Sequence, residues 1–350
     1  MTETSRRDAA RTLTEQAGYL VGVAARAPSL HNSQPWRFTV SGDAIELDAD
    51  ASRQLPMDPD GREMLISCGA ALYGLRLAVR SLGFLPEVEL LPGLPGRAPL
   101  ARVRLGPAAP MTAGERKMLA AVPHRHTHRG PFEAGPLPAG LLARLQDDAR
   151  AEGATLAEIE PGPARRRLMA LVAAAGRRQD RDPPLRAETR RWSRDVTSPA
   201  RDGVPAHSFP ATPARQPGQL PQRDYDLGRG IGLLPTGGPA PPVTAMLFTP
   251  GDGEEDWLRA GQALDRLLLH AATQWVFASL NTQPLEDAAT RTLVRDRLAP
   301  SGWPPSGWPL SGWPLSGWSL SGWPQMLLAL GVSRTAPATA RRPVGDLIEP

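Results

Sequence analysis

The chain has almost no lysine and almost no cysteine. Lys117 is the one lysine among 40 basic residues, and Cys68 is the one cysteine in 350 residues. A lone thiol excludes an internal disulfide framework and a cysteine-rich metal centre, and it fits a reducing compartment such as the cytoplasm. Aromatics make up only 5% of the chain. No apolar run approaches the roughly 18 residues of a membrane span. The first residues, MTETSRRDAARTL, lack the apolar core of a secretory signal. The net charge is a modest +4. The arginines are scattered rather than gathered in one stripe, which argues against a nucleic-acid partner. No GxGxxG, Walker or GxSxG pattern stands in a usable context, and no Ser/His/Asp set can be named. Chemistry without an evident protein acid or base is what a cofactor-carried reaction leaves behind.

The most informative stretch that is present is Ala27-Pro28-Ser29-Leu30-His31-Asn32-Ser33-Gln34-Pro35-Trp36-Arg37-Phe38. It links a helical pattern ending near Arg26 to an alternating run, Trp36 to Val40, that reads as a strand. Prolines stiffen it, while Ser29, Asn32 and Gln34 each donate and accept hydrogen bonds. Such a loop either presents polar groups to the edge of a heterocycle such as a flavin, or satisfies its own backbone as an Asn/Ser turn.

A long helix is predicted over Arg62–Gly83, with Leu65, Cys68, Leu72, Leu75, Val79 and Leu82 at helical spacing. Strands follow at Val88–Leu91 and Leu100–Leu105. Beyond Met111 the pattern gives helices at Thr112–Val122 and about 138–152, 161–180 and 184–194, with a strand at 154–159. A strand at Val243–Thr249, helices at Glu254–Leu280 and Leu285–Leu298, and a strand at Gln325–Leu330 complete the pattern. Residues 195–242 are rich in proline and glycine, with Phe209 and Tyr225 as the aromatic anchors. That composition cannot bury a core of its own, so the stretch reads as a lid or a linker.

Two repeats stand out. Gly69-x-Ala71-Leu72-x-x-Leu75-x-Leu77 matches Gly261-x-Ala263-Leu264-x-x-Leu267-x-Leu269, which reads either as common buried-helix spacing or as the trace of a duplication. Residues 301–325 hold five copies of Ser-Gly-Trp-Pro-Leu or a close variant. Proline and glycine that dense are expected to preclude a helix or a paired strand, so an exposed low-complexity loop is the expectation. The run His124-Arg125-His126-Thr127-His128-Arg129 invites a metal reading, but no Cys, Asp or Glu joins it and its arginines repel a cation. Arg125 and Arg129, one helical turn apart if the run is helical, suit an anion better, because guanidinium binds phosphate in a bidentate fork.

The opening loop, APSLHNSQPWRF, resembles the FMN-site loop of the nitroreductase-like flavoproteins, and its His-Asn variant is similar to the Acg subfamily. The resemblance runs on through DPDGREMLISCGAALYGLRLAV, HRHTHRGPF, DWLRAGQALDRLLLHAA, QMLLALG and RRPVGDLI. It implies an α+β fold of two nitroreductase-like lobes, about 1–110 and 111–350, forming an intramolecular pseudo-dimer with a Pro-rich lid at 195–242. It assigns Ser29, His31, Asn32 and Gln34 to the flavin. RHTHR resembles the family's phosphate motif, which assigns Arg125, Thr127 and Arg129 to the FMN phosphate and ribityl chain. The tail ARRPV adds Arg341 or Arg342, with Arg342 the candidate contact. The implied activity is NAD(P)H-dependent, ping-pong reduction of a nitroaromatic or quinone-like acceptor, with no partner subunit needed for the site. The alternative is an FMN-sequestering protein without turnover, its flavin covered by the lid. Trp275 stands where the family usually has glycine.

Overall fold

The computed structural model describes residues 3–93, 99–211, 220–233, 242–298 and 322–349. Most of the Trp repeat, up to residue 321, lies outside them. The chain opens with α1 (Glu3–Ala24), the hairpin strands β1 (Trp36–Ser41) and β2 (Ala44–Ala49), α2 (Arg62–Ser81), β3 (Phe84–Leu90) and β4 (Ala101–Ala108). Then come α3 (Ala113–Ala121), α4 (Leu141–Ala151), β5 (Thr155–Glu158), α5 (Pro163–Arg181), α6 (Pro183–Trp192), β6 (Ser193–Arg194) and β7 (Val204–Pro205). The last part holds β8 (Val243–Thr249), α7 (Glu254–Ala272), β9 (Val276–Leu280), α8 (Ala288–Leu298), β10 (Trp323–Val332) and β11 (Ile348–Glu349).

The fold is α+β. One sheet has the order β11-β1-β2-β4-β3, another has β5-β8-β10-β9, and β6 and β7 form a small parallel pair. The four-stranded sheet is antiparallel throughout. In the five-stranded sheet only the C-terminal strand β11 runs parallel to its neighbour β1. The tail therefore returns to the N-terminal sheet and closes its edge.

Helices α2 and α7 are buried on nearly all sides and pack against each other more extensively than any other pair of described elements. The matched glycines make this possible. A Cβ on Gly69 would strike the Leu258 backbone, its Cα at 2.9 Å; one on Gly261 would strike the Ile66 carbonyl and come within 2.8 Å of the Gly69 Cα. Leu258 and Ile66 each stand three residues before the matched glycine. Each crosses over as well: Leu258 joins the core of the five-stranded sheet, and Ile66 joins that of the four-stranded sheet.

Three expectations change. The helix predicted over Glu254–Leu280 stops at Ala272, and Val276–Leu280 is a strand paired with β10. An apolar run of that length fits either state by pattern, and sheet pairing decides it. Trp275 makes the break in the left-handed region, at φ 57°, where glycine is the unstrained choice. Second, the last Trp-Pro copy is part of a paired strand: Trp323 and Pro324 lie opposite Thr249 and Phe248 of β8. Proline is tolerated because β9 begins pairing only at Leu328, which leaves that end of β10 with no strand beside it on that side. Third, the stretch after residue 195 does bury a small apolar cluster of its own, Val204, Ala206, Phe209 and Tyr225. Among the described residues no helix is long and apolar enough to cross a membrane.

Candidate cofactor site

The loop after α1 holds three non-glycine residues in the left-handed region: His31 at φ 54°, Asn32 at φ 55° and Gln34 at φ 52°. Such geometry persists only where its surroundings fix it, and the C-terminal tail does so here. Arg341 donates to the carbonyls of Ala25, Arg26 and Ala27 and to Asn32 Oδ1. The Arg342 backbone N–H donates to Gln34 Oε1 at 2.8 Å, and its guanidinium donates to the Gln34 carbonyl. The Asn32 amide donates to the carbonyls of Gly203 and Ala340, and that of Gln34 to the Arg201 carbonyl. Asn32 and Gln34 are thus engaged within the protein, and with Arg342 they build the loop rather than line the cleft beside it.

That cleft lies where the loop meets α2, α7, the end of β9 and the segment 220–226. Ser29, His31, Thr127 and Arg129 line it, so the structure brings these four predicted residues together. Leu30, Ile66, Leu264, Leu280 and Met326 give it apolar walls. Glu63, Ser67, Ser279 and Thr282 line it too, as do Gln222, Arg223 and Tyr225 from the segment 220–233, here called the strap. These groups escape a motif search because they meet only through tertiary packing. Tyr225 alone gave a signal, as an aromatic in a proline-rich stretch.

The HRHTHR run is extended rather than helical, with Thr127 bridging Ala278 of β9. Alternate side chains therefore part. Arg125 turns away from the cleft, donates to the Arg26 carbonyl, and faces the buried Asp265 at 3.9 Å. The histidines pack against aromatic rings: His124 and His128 stack on Trp275 and Phe132, and His126 lies tilted against Phe277. Burial pushes the His126 imidazole down to about 3 and lowers His128 as well. Among the described residues no cluster of His, Cys, Asp or Glu stands ready for a metal ion.

Tyr225 makes two contacts across the cleft. Tyr225 Oη lies 3.0 Å from His31 Nδ1, and the Arg129 guanidinium stands 5.2 Å from the centre of the Tyr225 ring. His31 is buried, with Met57 Sδ at 3.2 Å and a Glu188 carboxylate oxygen at 3.9 Å from Nε2. Burial, then the charges of Arg223 and Arg129, hold the His31 imidazole well below its ordinary range, so it is neutral. The strap itself is turned by Asp226, whose carboxylate accepts from the backbone N–H groups of Gly230, Ile231 and Gly232.

The donor set matches a flavin mononucleotide. Apolar walls suit the faces of a tricyclic ring, and hydroxyls with the Arg129 guanidinium suit its polar edge and phosphate chain. Gln222, which lines the cleft, has a buried side-chain oxygen, Oε1, with no hydrogen-bond partner among the described residues. A buried acceptor left so is open to a donor from a ligand. The free space in the cleft is about 50 Å³.

No family model matches the chain. It is 33% identical over 334 residues to a protein of Mycobacterium tuberculosis strain H37Rv named "Putative NAD(P)H nitroreductase Rv3131", covering 93% of this chain and 89% of the relative. It is 28% identical over 332 residues to another from the same strain, "Putative NAD(P)H nitroreductase acg", covering 93% of both. On this evidence the chain belongs to the nitroreductase-like family, in its Acg-type branch.

Proposed function

We propose that the protein binds one FMN per chain and uses NAD(P)H to reduce a nitroaromatic or quinone-like acceptor in a ping-pong cycle. The observation that carries this reading is the composite cleft. The loop Ser29–His31 comes from the N-terminal part of the chain, Thr127 and Arg129 from the part after residue 111, and α2 and α7 supply the walls between them. The reciprocal crossing of Gly69 and Gly261 supports two related lobes, about 1–110 and 111–350, paired within one chain. One chain would then supply both faces of the site without a partner subunit.

FMN when bound supplies the redox chemistry, passing a hydride equivalent from NAD(P)H to the acceptor. The protein's own groups bind and orient. Leu264 and Ile66 would exclude water from the flavin, Arg129 and Thr127 would hold its phosphate, and Ser29 and His31 would offer hydrogen bonds to its polar groups. Arg341 and Arg342 act behind the loop, by holding its strained backbone.

A second reading is favoured by the strap. Its bond to His31 and its stacking under Arg129 cover the cleft, as a lid would in a protein that stores FMN without turnover. Purified protein should show the flavin absorption bands at about one FMN per chain. Steady NAD(P)H oxidation with a quinone or nitroaromatic acceptor supports the enzyme. Bound flavin without turnover supports storage, and a colourless protein that takes up no FMN defeats both readings.

A further inference from the structure

Reduction of a quinone or nitro group by hydride also consumes a proton, and among the described residues the cleft is lined by one carboxyl group, Glu63. We propose that Glu63 is the general acid that protonates the acceptor oxygen. The inference rests on the oxidoreductase reading above.

Glu63 sits in the first turn of α2, on the central helix pair rather than on the wall formed by the strap. Its backbone N–H donates to Asp58 Oδ1 at 3.1 Å. One carboxyl oxygen, Oε1, accepts from Arg62 Nη1 at 2.5 Å. Arg62 is in turn locked to Gln325 of β10, through its side-chain oxygen at 2.9 Å and through its backbone carbonyl. The second oxygen, Oε2, accepts no hydrogen bond from the described residues, on a side chain that is 4% exposed. A carboxyl oxygen left free on a cleft-lining side chain is placed to meet a ligand.

The surroundings favour the neutral acid. Burial pushes the carboxyl up to about 7, against the attraction of Arg62 and with the help of Asp58 and Glu286. Asp58 faces it from the turn before α2, and Glu286 from the segment after β9. Other cleft groups serve less well. His31 is neutral and held between Tyr225 and Met57, and the guanidinium groups of Arg129 and Arg223 do not release protons near neutral pH.

The step balances. The acceptor takes up a hydride, with its electron pair, that originates from NAD(P)H. An O–H bond forms at the acceptor oxygen as the O–H bond of the Glu63 carboxyl breaks. The product is the quinol, or nitroso compound plus water. The new carboxylate stays paired with Arg62 until solvent protons restore it.

Glu63→Gln and Glu63→Asp in the FMN-loaded protein test this, with the two half-reactions followed separately by rapid mixing. In Glu63→Gln, flavin bleaching by NAD(P)H should stay within about twofold of the wild type, while reoxidation by a quinone slows about a hundredfold. Wild-type reoxidation should fall as pH rises through about 7. That limb should vanish in Glu63→Gln and return in Glu63→Asp. Infrared spectra of the flavin-free protein give a readout apart from turnover: a carboxylic acid C=O band that titrates in this range and is absent from Glu63→Gln. Equal slowing of both half-reactions, an unchanged pH limb, or the absence of that band overturns the assignment while leaving the flavin reading intact. A wild-type protein that takes up no FMN overturns the reading beneath it, and the assignment with it.

Discussion

Gly69 and Gly261 lie against each other at the centre of the molecule, the Cβ direction of Gly261 ending 2.8 Å from the Gly69 Cα. No side chain larger than hydrogen fits between the two backbones. The contact is reciprocal, since each glycine admits the backbone of the residue that stands three positions before its partner, Leu258 or Ile66. The two sheets and the cleft between them are referred to this one crossing.

Gly261→Ala should therefore be costly. Ala70 N and the Gly69 Cα are backbone atoms and cannot swing aside, so α2 and α7 must separate. Overpacking of this kind destabilises by about 1–3 kcal/mol or more. Urea unfolding at fixed pH measures it. Gly18→Ala is the control, because nothing stands within 4 Å of a Cβ there. Equal midpoints for the two variants would mean that the helices do not meet at Gly261.

The strap should gate flavin entry. Tyr225→Phe removes the hydroxyl 3.0 Å from His31 Nδ1 but keeps the ring beneath Arg129. A lost neutral hydrogen bond is worth about 1 kcal/mol, equivalent to roughly a fivefold change in an opening equilibrium. FMN should bind to flavin-free Tyr225→Phe several times faster than to the wild type, as followed by quenching of FMN fluorescence. Identical association rates would show that the strap is not the gate.

The two arginine groups should separate in their effects. Arg129→Ala removes a charge-assisted contact at the cleft and should weaken FMN binding by about 1.5–3 kcal/mol with little change in unfolding midpoint. Arg341→Met instead strips donors from the carbonyls of Ala25, Arg26 and Ala27 and from Asn32. It should lower stability by at least about 1–3 kcal/mol, the cost of leaving one such group unsatisfied, and should weaken FMN binding through the distorted loop. Paired titration and unfolding of both variants would refute the division if Arg341→Met kept full stability.

His126 sets a pH dependence. Burial holds its folded-state pKa at about 3, against an ordinary 6.5. Below pH 6.5 the unfolded chain binds a proton that the folded chain does not, so this residue removes stability as pH falls from 6.5 toward 3. The loss approaches about 1.4 kcal/mol per pH unit within that window. His126→Phe, which keeps an aromatic ring beside Phe277, should gain about 2.7 kcal/mol relative to the wild type at pH 4.5 and little at pH 8. An equal difference at both pH values would place the imidazole in water.

By itself the sequence determined the local elements whose pattern is unambiguous. The helix at 62–83 was legible because apolar residues recur at helical spacing, and the strand at 243–249 because its apolar, β-branched run has clear ends. The same pattern misread Val276–Leu280, because a mostly apolar run after a helix looks like more helix until a neighbouring strand offers hydrogen bonds. The sequence also named Ser29, His31, Thr127 and Arg129 by resemblance. Only the tertiary structure separated them from Asn32, Gln34, Arg125 and Arg342, which carry the same polar chemistry but are turned toward backbone carbonyls, amides and a buried aspartate. A motif records which groups are present and not which partner each one finds. Glu63 was illegible as a site residue for a related reason: no local pattern marks a side chain that reaches a cleft from another element, and Tyr225 showed only as an aromatic in a proline-rich stretch. The matched glycines lie between these cases. Their spacing was visible in the sequence, but it became a physical constraint only once the chain brought two backbones into contact.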